Sequence, residues 1–143
     1  MSKTLFLLAV FGIFLLWKFV LFPEKLDFTD KVKVLQGLTL AKDYKSAVGF
    51  YWKKNQRFPN AEQWQDSGVK INVDFSKSIV SKIVVAEKSP GTITIYYSDS
   101  AQATLAPGIS GKSLVLSPYV LTDTVEWSCK GTVATEFLPR SCQ

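Results

Sequence analysis

Residues 5–22 form one apolar run, and no other feature of this 143-residue chain restricts its folding more. The run reads Leu5-Phe6-Leu7-Leu8-Ala9-Val10-Phe11-Gly12-Ile13-Phe14-Leu15-Leu16-Trp17-Lys18-Phe19-Val20-Leu21-Phe22, and Lys18 is its single charge. Eighteen helical residues reach about 27 Å, close to the hydrocarbon thickness of a bilayer. Lys18 lies near the end of the run, where its stem can follow lipid while the ammonium reaches the interface; Trp17 suits the same boundary. The expectation is a transmembrane helix over 5–22 within an anchor segment 1–25, followed by a domain over 26–143. A cleaved signal peptide is the competing reading. Against it, the run is long and continues into Pro23-Glu24 without a small-x-small cleavage site.

The remainder is a single small domain. The chain is 47% hydrophobic and carries a net charge of +5. Lys3 precedes the apolar run, Lys18 lies within it and all twelve acids follow it, so the rest holds a surplus of three positive charges. That mild bias is not the clustered basic stripe of a nucleic-acid binder, and DNA contact is only weakly supported. Histidine is absent, which removes the commonest general base and the commonest metal ligand.

Two cysteines, Cys129 and Cys142, lie near the C-terminus. Behind an export-type N-terminus an even count reads as a disulfide formed in an oxidising compartment; the bland alternative is two free thiols. Closing a loop of this size stabilises a fold by about 3 kcal/mol on the chain-entropy model. Orientation is contested. Lys18, Lys25, Lys31 and Lys33 lie at or beyond the far end of the span, which by the positive-inside rule places the domain in the cytoplasm. The cysteines argue for the opposite side, and a short tail before a long domain weakens the charge rule.

Pro23 ends or bends the anchor helix. A second helix is expected from about Asp27, a potential cap, to Asn55. Phe28, Val32, Leu35, Leu38, Ala41, Ala47, Val48, Tyr51 and Trp52 recur at spacings of three and four and make one apolar stripe. Arg57-Phe58-Pro59-Asn60 is the stop. The period then changes. Val69–Val73, Ile79–Val85, Thr92–Tyr97, Leu114–Leu116 and Val125–Trp127 read as strands, with Lys88-Ser89-Pro90-Gly91 a tight turn between two of them. One helix laid on an antiparallel sheet gives an α+β domain.

Candidate chemistry is sparse. Ala106-Pro107-Gly108-Ile109-Ser110-Gly111-Lys112-Ser113 fits a relaxed phosphate-loop pattern, but a helix must follow such a loop and Leu114-Val115-Leu116-Ser117-Pro118 reads as a strand. The serines have no histidine to activate them, the cysteines lack redox spacing, and no metal-ligand set is present. No catalytic residue, metal or cofactor is assigned, and an enzyme is not expected. Tyr44, Phe50, Tyr51 and Trp52 cluster at the helix end. Core packing against the sheet is the favoured reading, with an adhesion surface as the alternative.

The domain resembles the type IV pilins. Ala47-Val48-Gly49-Phe50-Tyr51-Trp52 leading to Phe58-Pro59 is similar to the pilin helix end and its turn. Gly91-Thr92-Ile93-Thr94 resembles the glycine that opens a pilin strand. The strand from Ile109 to Pro118 resembles the pilin strand that ends in proline. Trp127-Ser128-Cys129 and Leu138-Pro139-Arg140-Ser141-Cys142 are similar to the elements around the pilin C-terminal disulfide. They occur in order over about residues 26–143.

The resemblance implies a pilin fold: a helical spine, a four-stranded antiparallel sheet and a C-terminal loop closed by Cys129–Cys142. It further implies a single-pass inner-membrane protein with a periplasmic domain, found on a surface pilus once assembled. Its expected partners are lipid and other pilins or assembly proteins, with a homo-oligomer or filament as the product. Pilins have a basic leader ending in glycine and, soon after, a glutamate that pairs with a neighbour's new N-terminus. Met1 to Phe6 contain no such glycine, and no acid precedes Glu24. The expected role is an accessory component or filament subunit in adhesion, motility or DNA uptake. The alternatives are an assembly inhibitor that mimics a pilin, and a membrane-anchored ligand-binding module. An apolar pocket between helix and sheet would favour the last.

Overall fold

A computed structural model of the chain describes residues 28–67, 69, 75 and 78–142. The anchor expected over 5–22, the cap expected at Asp27 and nearly all of the strand expected over 69–73 lie outside those residues. No helix among the described residues is long and apolar enough to cross a membrane.

The domain opens with α1 (Phe28–Leu40) and α2 (Lys42–Asn55). They form one rod, because helical hydrogen bonding runs through the joint: Ala41 N–H donates to Gly37 O at 3.2 Å and Lys45 N–H to Ala41 O at 3.0 Å. The buried face is Val34, Ala41, Tyr44, Ala47, Val48 and Trp52. Their spacings of three, four and seven place them along one side of the wheel. The expected stripe needs one correction: Leu35 is 46% exposed, one position round from the buried Val34, whereas Tyr44 takes the core place expected of it among the helix-end aromatics.

Gln56 ends the rod in the left-handed region (φ 53°), and its N–H donates to Trp52 O at 2.7 Å. Asn60 and Gln63 then bond each other's backbone N–H reciprocally, at 3.1 and 3.0 Å. This capping-box arrangement starts a 3₁₀ turn over Gln63–Ser67 that carries Trp64 into the core.

The sheet is an antiparallel meander, β1 (Val80–Val85), β2 (Ile93–Tyr97), β3 (Ser113–Leu121) and β4 (Thr124–Gly131), in that spatial order. Ile83, Val85, Ile93, Ile95, Tyr97, Leu114 and Leu116 alternate inward along three of the strands. Val80 is also buried, because the register with β2 shifts between Val80 and Lys82. This face meets the rod in one continuous core. Fully burying each isoleucine or leucine contributes roughly 1.5–3 kcal/mol.

Each hairpin has its own turn chemistry. Between β1 and β2, the Thr92 hydroxyl donates to Ser89 O at 2.7 Å, and Ala86 N–H to Thr92 O at 2.7 Å. Between β3 and β4, Thr122 and Asp123 both have positive φ, 47° and 62°, as a type I′ turn requires.

Candidate functional site

Two groups of residues far apart in sequence are brought together, and both involve the C-terminal half of the chain. The first joins the helix end to the sheet. Gly91 has φ +76° and donates its N–H to Pro59 O at 2.8 Å. A Cβ at Gly91 would lie 2.8 Å from Pro118 Cγ and 2.9 Å from Phe58 Cβ. Only glycine meets both the dihedral and the space. Phe58-Pro59, Gly91 and Pro118, three separate motifs in the sequence, are therefore one packed junction.

The second group is the disulfide loop. Cys129 on β4 is bonded to Cys142, with their Cα atoms 4.9 Å apart. The intervening chain is seated along its length. Ser113 N–H donates to Thr132 Oγ1 at 3.0 Å, and Thr132 N–H to Ser113 O at 2.9 Å. Val133 is buried. Ala134 N–H donates to Gly108 O at 2.9 Å. A Cβ at Gly108 would lie 2.7 Å from the Phe137 ring, so that ring packs on the glycine. Thr135–Phe137 and Arg140–Cys142 are short 3₁₀ turns. A loop held at both ends and in the middle presents Thr132, Thr135, Glu136, Arg140 and Ser141 as an exposed, fixed surface.

Residues 106–113, the phosphate-loop lookalike, make no phosphate cradle. Ile109 and Ser110 N–H both donate to Ala106 O, at 2.8 and 2.9 Å, closing a compact turn around the fully buried Ile109. The chain then enters β3 rather than a helix. The segment serves as the platform for the disulfide loop.

The aromatic cluster divides. Tyr44 and Trp52 are core residues, and the Tyr44 and Trp64 rings stand 6.1 Å apart. Phe50 is 75% exposed, which overturns the core-packing expectation for that side chain. It projects from the outward side of α2, where Gly49 beside it has open space. Lys45 Nζ lies 5.3 Å from the centroid of Trp127 on β4, linking α2 to the outer strand.

Titratable groups form no reactive constellation among the described residues, and those residues hold no cluster of metal-ligating side chains. The Tyr96 hydroxyl donates to Glu87 at 2.7 Å, which holds that carboxyl below its usual range and raises the tyrosine. Lys82 Nζ stands 4.5 Å over the Tyr96 ring, making a small surface network. A cleft of about 520 Å³ lies between α1 and the 100–104 segment, lined in part by Val32, Lys33, Gln36, Ile79 and Gln102. Among the described residues its lining cation, Lys33, is engaged: Nζ donates to Asp30 at 2.9 Å and to Thr104 O at 2.7 Å.

The profile of the pilin family, the bacterial filament proteins, matches residues 31–143. The chain belongs to the pilin family. It is also 23% identical over 141 residues to the fimbrial protein EcpC of Eikenella corrodens, covering 99% of this chain and 86% of that protein. The observed helix on a four-stranded antiparallel sheet, with its disulfide-bound C-terminus, is the architecture the resemblance implied. Pilins are structural proteins that assemble with other pilins into filaments associated with the cell surface. Sequence reasoning missed two exposed features of the domain. The exposed Phe50 was hidden among core aromatics of the same kind, and the length of the β3–β4 hairpin was concealed by Pro118, which reads as a strand end.

Proposed function

We propose that this pilin is a filament subunit, held in the bacterial inner membrane by residues 5–22 before assembly, with its domain in the periplasm. The observation that carries the reading is the outward face of the helical rod. Leu35 and Phe50 are exposed there at 46 and 75%, on a helix whose other face already fills the core. Exposed apolar side chains recurring along one element mark a protein contact when the family is one of assembling subunits. The apolar run 5–22 precedes the rod in sequence, and as the expected transmembrane helix it would supply a second surface for lateral packing in lipid or against neighbouring helices.

A second reading is favoured by one feature of that run: it contains no acid. In the pilins it resembles, an early glutamate pairs with a neighbour's N-terminus. A span without that group fits an accessory protein or assembly inhibitor that stays in the inner membrane and offers other pilins a docking surface.

Fractionation of producing cells separates the two. Sheared filaments, inner membrane and periplasm are probed with an antibody to the C-terminal domain, beside an intact-mass measurement. The chain recovered in sheared filaments supports the subunit. A chain confined to the inner membrane overturns the subunit and favours the accessory role.

A further inference from the structure

Two surfaces of the domain are complementary to each other and cannot meet within one molecule. The first is the outer half of the β3–β4 hairpin. β2 pairs with β3 only over residues 113–116, whereas β3 and β4 stay paired out to Leu121↔Thr124. The hairpin therefore runs past the sheet as a two-stranded arm, an element marginal in water by itself. Near its tip Tyr119 and Leu121, 46 and 57% exposed, share one face of the arm, and Val120, 43% exposed, stands on the other. Asp123 and Glu126 are exposed beside them.

The second surface is the outward face of the rod. Phe50 stands on it, with Leu35 a few turns earlier; Lys42, Lys53 and Lys54 are exposed around them against one exposed acid, Asp43, which leaves the face net basic. One patch is apolar and acidic, the other apolar and basic. The arm reaches its own rod from the other side, where Trp127 lies under Lys45. Leu35 and Phe50 face away from the sheet.

We propose that the hairpin tip of one copy docks on the outward helical face of the next, apolar side chains together and Asp123 and Glu126 toward Lys42, Lys53 and Lys54. The occupant is a second copy of this chain. A contact between two different patches of identical chains is heterologous and propagates as a filament unless its rotation closes a ring. The inference rests on the subunit reading and names the contact that this reading needs. Charge pairing at such a rim fixes register and rejects wrong partners more than it adds affinity.

The test uses the full chain in producing cells. A photo-crosslinking benzoylphenylalanine replaces Leu121, and crosslinked peptides are mapped by mass. The expected product joins position 121 to the stretch 35–54 of a second copy. Two charge-reversed chains follow, one with Asp123→Lys and Glu126→Lys, the other with Lys53→Glu and Lys54→Glu. Each is expected to lower the crosslinked dimer by about tenfold, and the chain carrying all four changes to recover it. Position 121 crosslinking only to another region or another protein overturns the docking, as does a fourfold variant no better than the twofold ones. If the reversed chains do not fold, the single exposed replacement at 121 still decides by its map. A chain present in sheared filaments but crosslinked elsewhere overturns the docking alone. A chain absent from filaments and never crosslinked to a second copy overturns the subunit reading with it.

Discussion

The hydroxyl of Tyr97 donates to the carbonyl oxygen of Val34 at 3.0 Å, joining the last residue of β2 to the middle of α1. The ring lies directly on Gly37, where a Cβ would come within 2.6 Å of the hydroxyl oxygen. A helix and a sheet 63 positions apart in sequence are thus fixed by one side chain and one missing side chain. Tyr97→Phe keeps the ring and removes the bond, and is expected to cost about 1 kcal/mol in urea unfolding of the full chain in detergent. Gly37→Ala is expected to cost more, because the sheet must move off the helix to make room. A Tyr97→Phe chain as stable as the parent would show that the bond contributes nothing.

The same burial sets a pH dependence. Desolvation raises the Tyr97 hydroxyl well above the ordinary tyrosine value. A raised acid binds its proton more tightly in the fold, so its contribution is fully present below the unfolded value near 10. It falls as pH rises from there toward the folded value. The parent is expected to lose stability above about pH 10, by at most about 1.4 kcal/mol per pH unit from this group. Burial raises Tyr44 too, so the parent alone does not isolate the effect. The difference between parent and Tyr97→Phe does, and it should shrink as pH climbs. A constant difference from pH 8 to 11 would count against the claim.

Removing the disulfide by Cys142→Ala is expected to lower stability by about 3 kcal/mol. The loss should appear as a lower denaturation midpoint under oxidising conditions, and reductant should bring the parent to the same midpoint. Because Val133 and Ala134 anchor the loop independently, amide exchange should rise first at residues 138–142 and later at 132–134. Identical melts for parent and variant would mean that the loop is held without the bond.

Two glycines should respond to alanine with opposite sign. Gly91→Ala forces a side chain into a left-handed position against Phe58 and Pro118, and is expected to destabilise by roughly 2 kcal/mol or more. Gly49→Ala places a methyl in open space on a helix and is expected to stabilise by roughly 0.5–1 kcal/mol. Thermal melts of the two chains, read side by side, check the pair. A shared direction would show that the helix end packs differently from the arrangement described.

Much of this molecule was legible locally. The 3.6-residue stripe named Ala41, Ala47, Val48 and Trp52 as a buried face, and alternation located β2 and the start of β3, because such periods are properties of a few consecutive residues. Two cysteines behind an apolar segment sufficed to expect the Cys129–Cys142 bond. The missed parts depend on distant neighbours. Leu35 and Val34 are adjacent and apolar, and only the line of approach of the sheet puts Val34 inside and leaves Leu35 out. Phe50 has the composition of its core neighbours, yet among the described residues it stands exposed.

The sequence by itself determined the element types, the apolar segment, the disulfide pair and the membership of a filament-forming family. The first three rest on short-range periodicity and residue chemistry; the family rests on the resemblance of motifs that occur in order over about residues 26–143. Tertiary structure alone decided that Gly91 joins Phe58 to Pro118, that Phe137 rests on Gly108, and that the β3–β4 hairpin outruns its sheet toward solvent. Each depends on which distant segments arrive at the same point. Close packing settles that arrival for the whole fold at once.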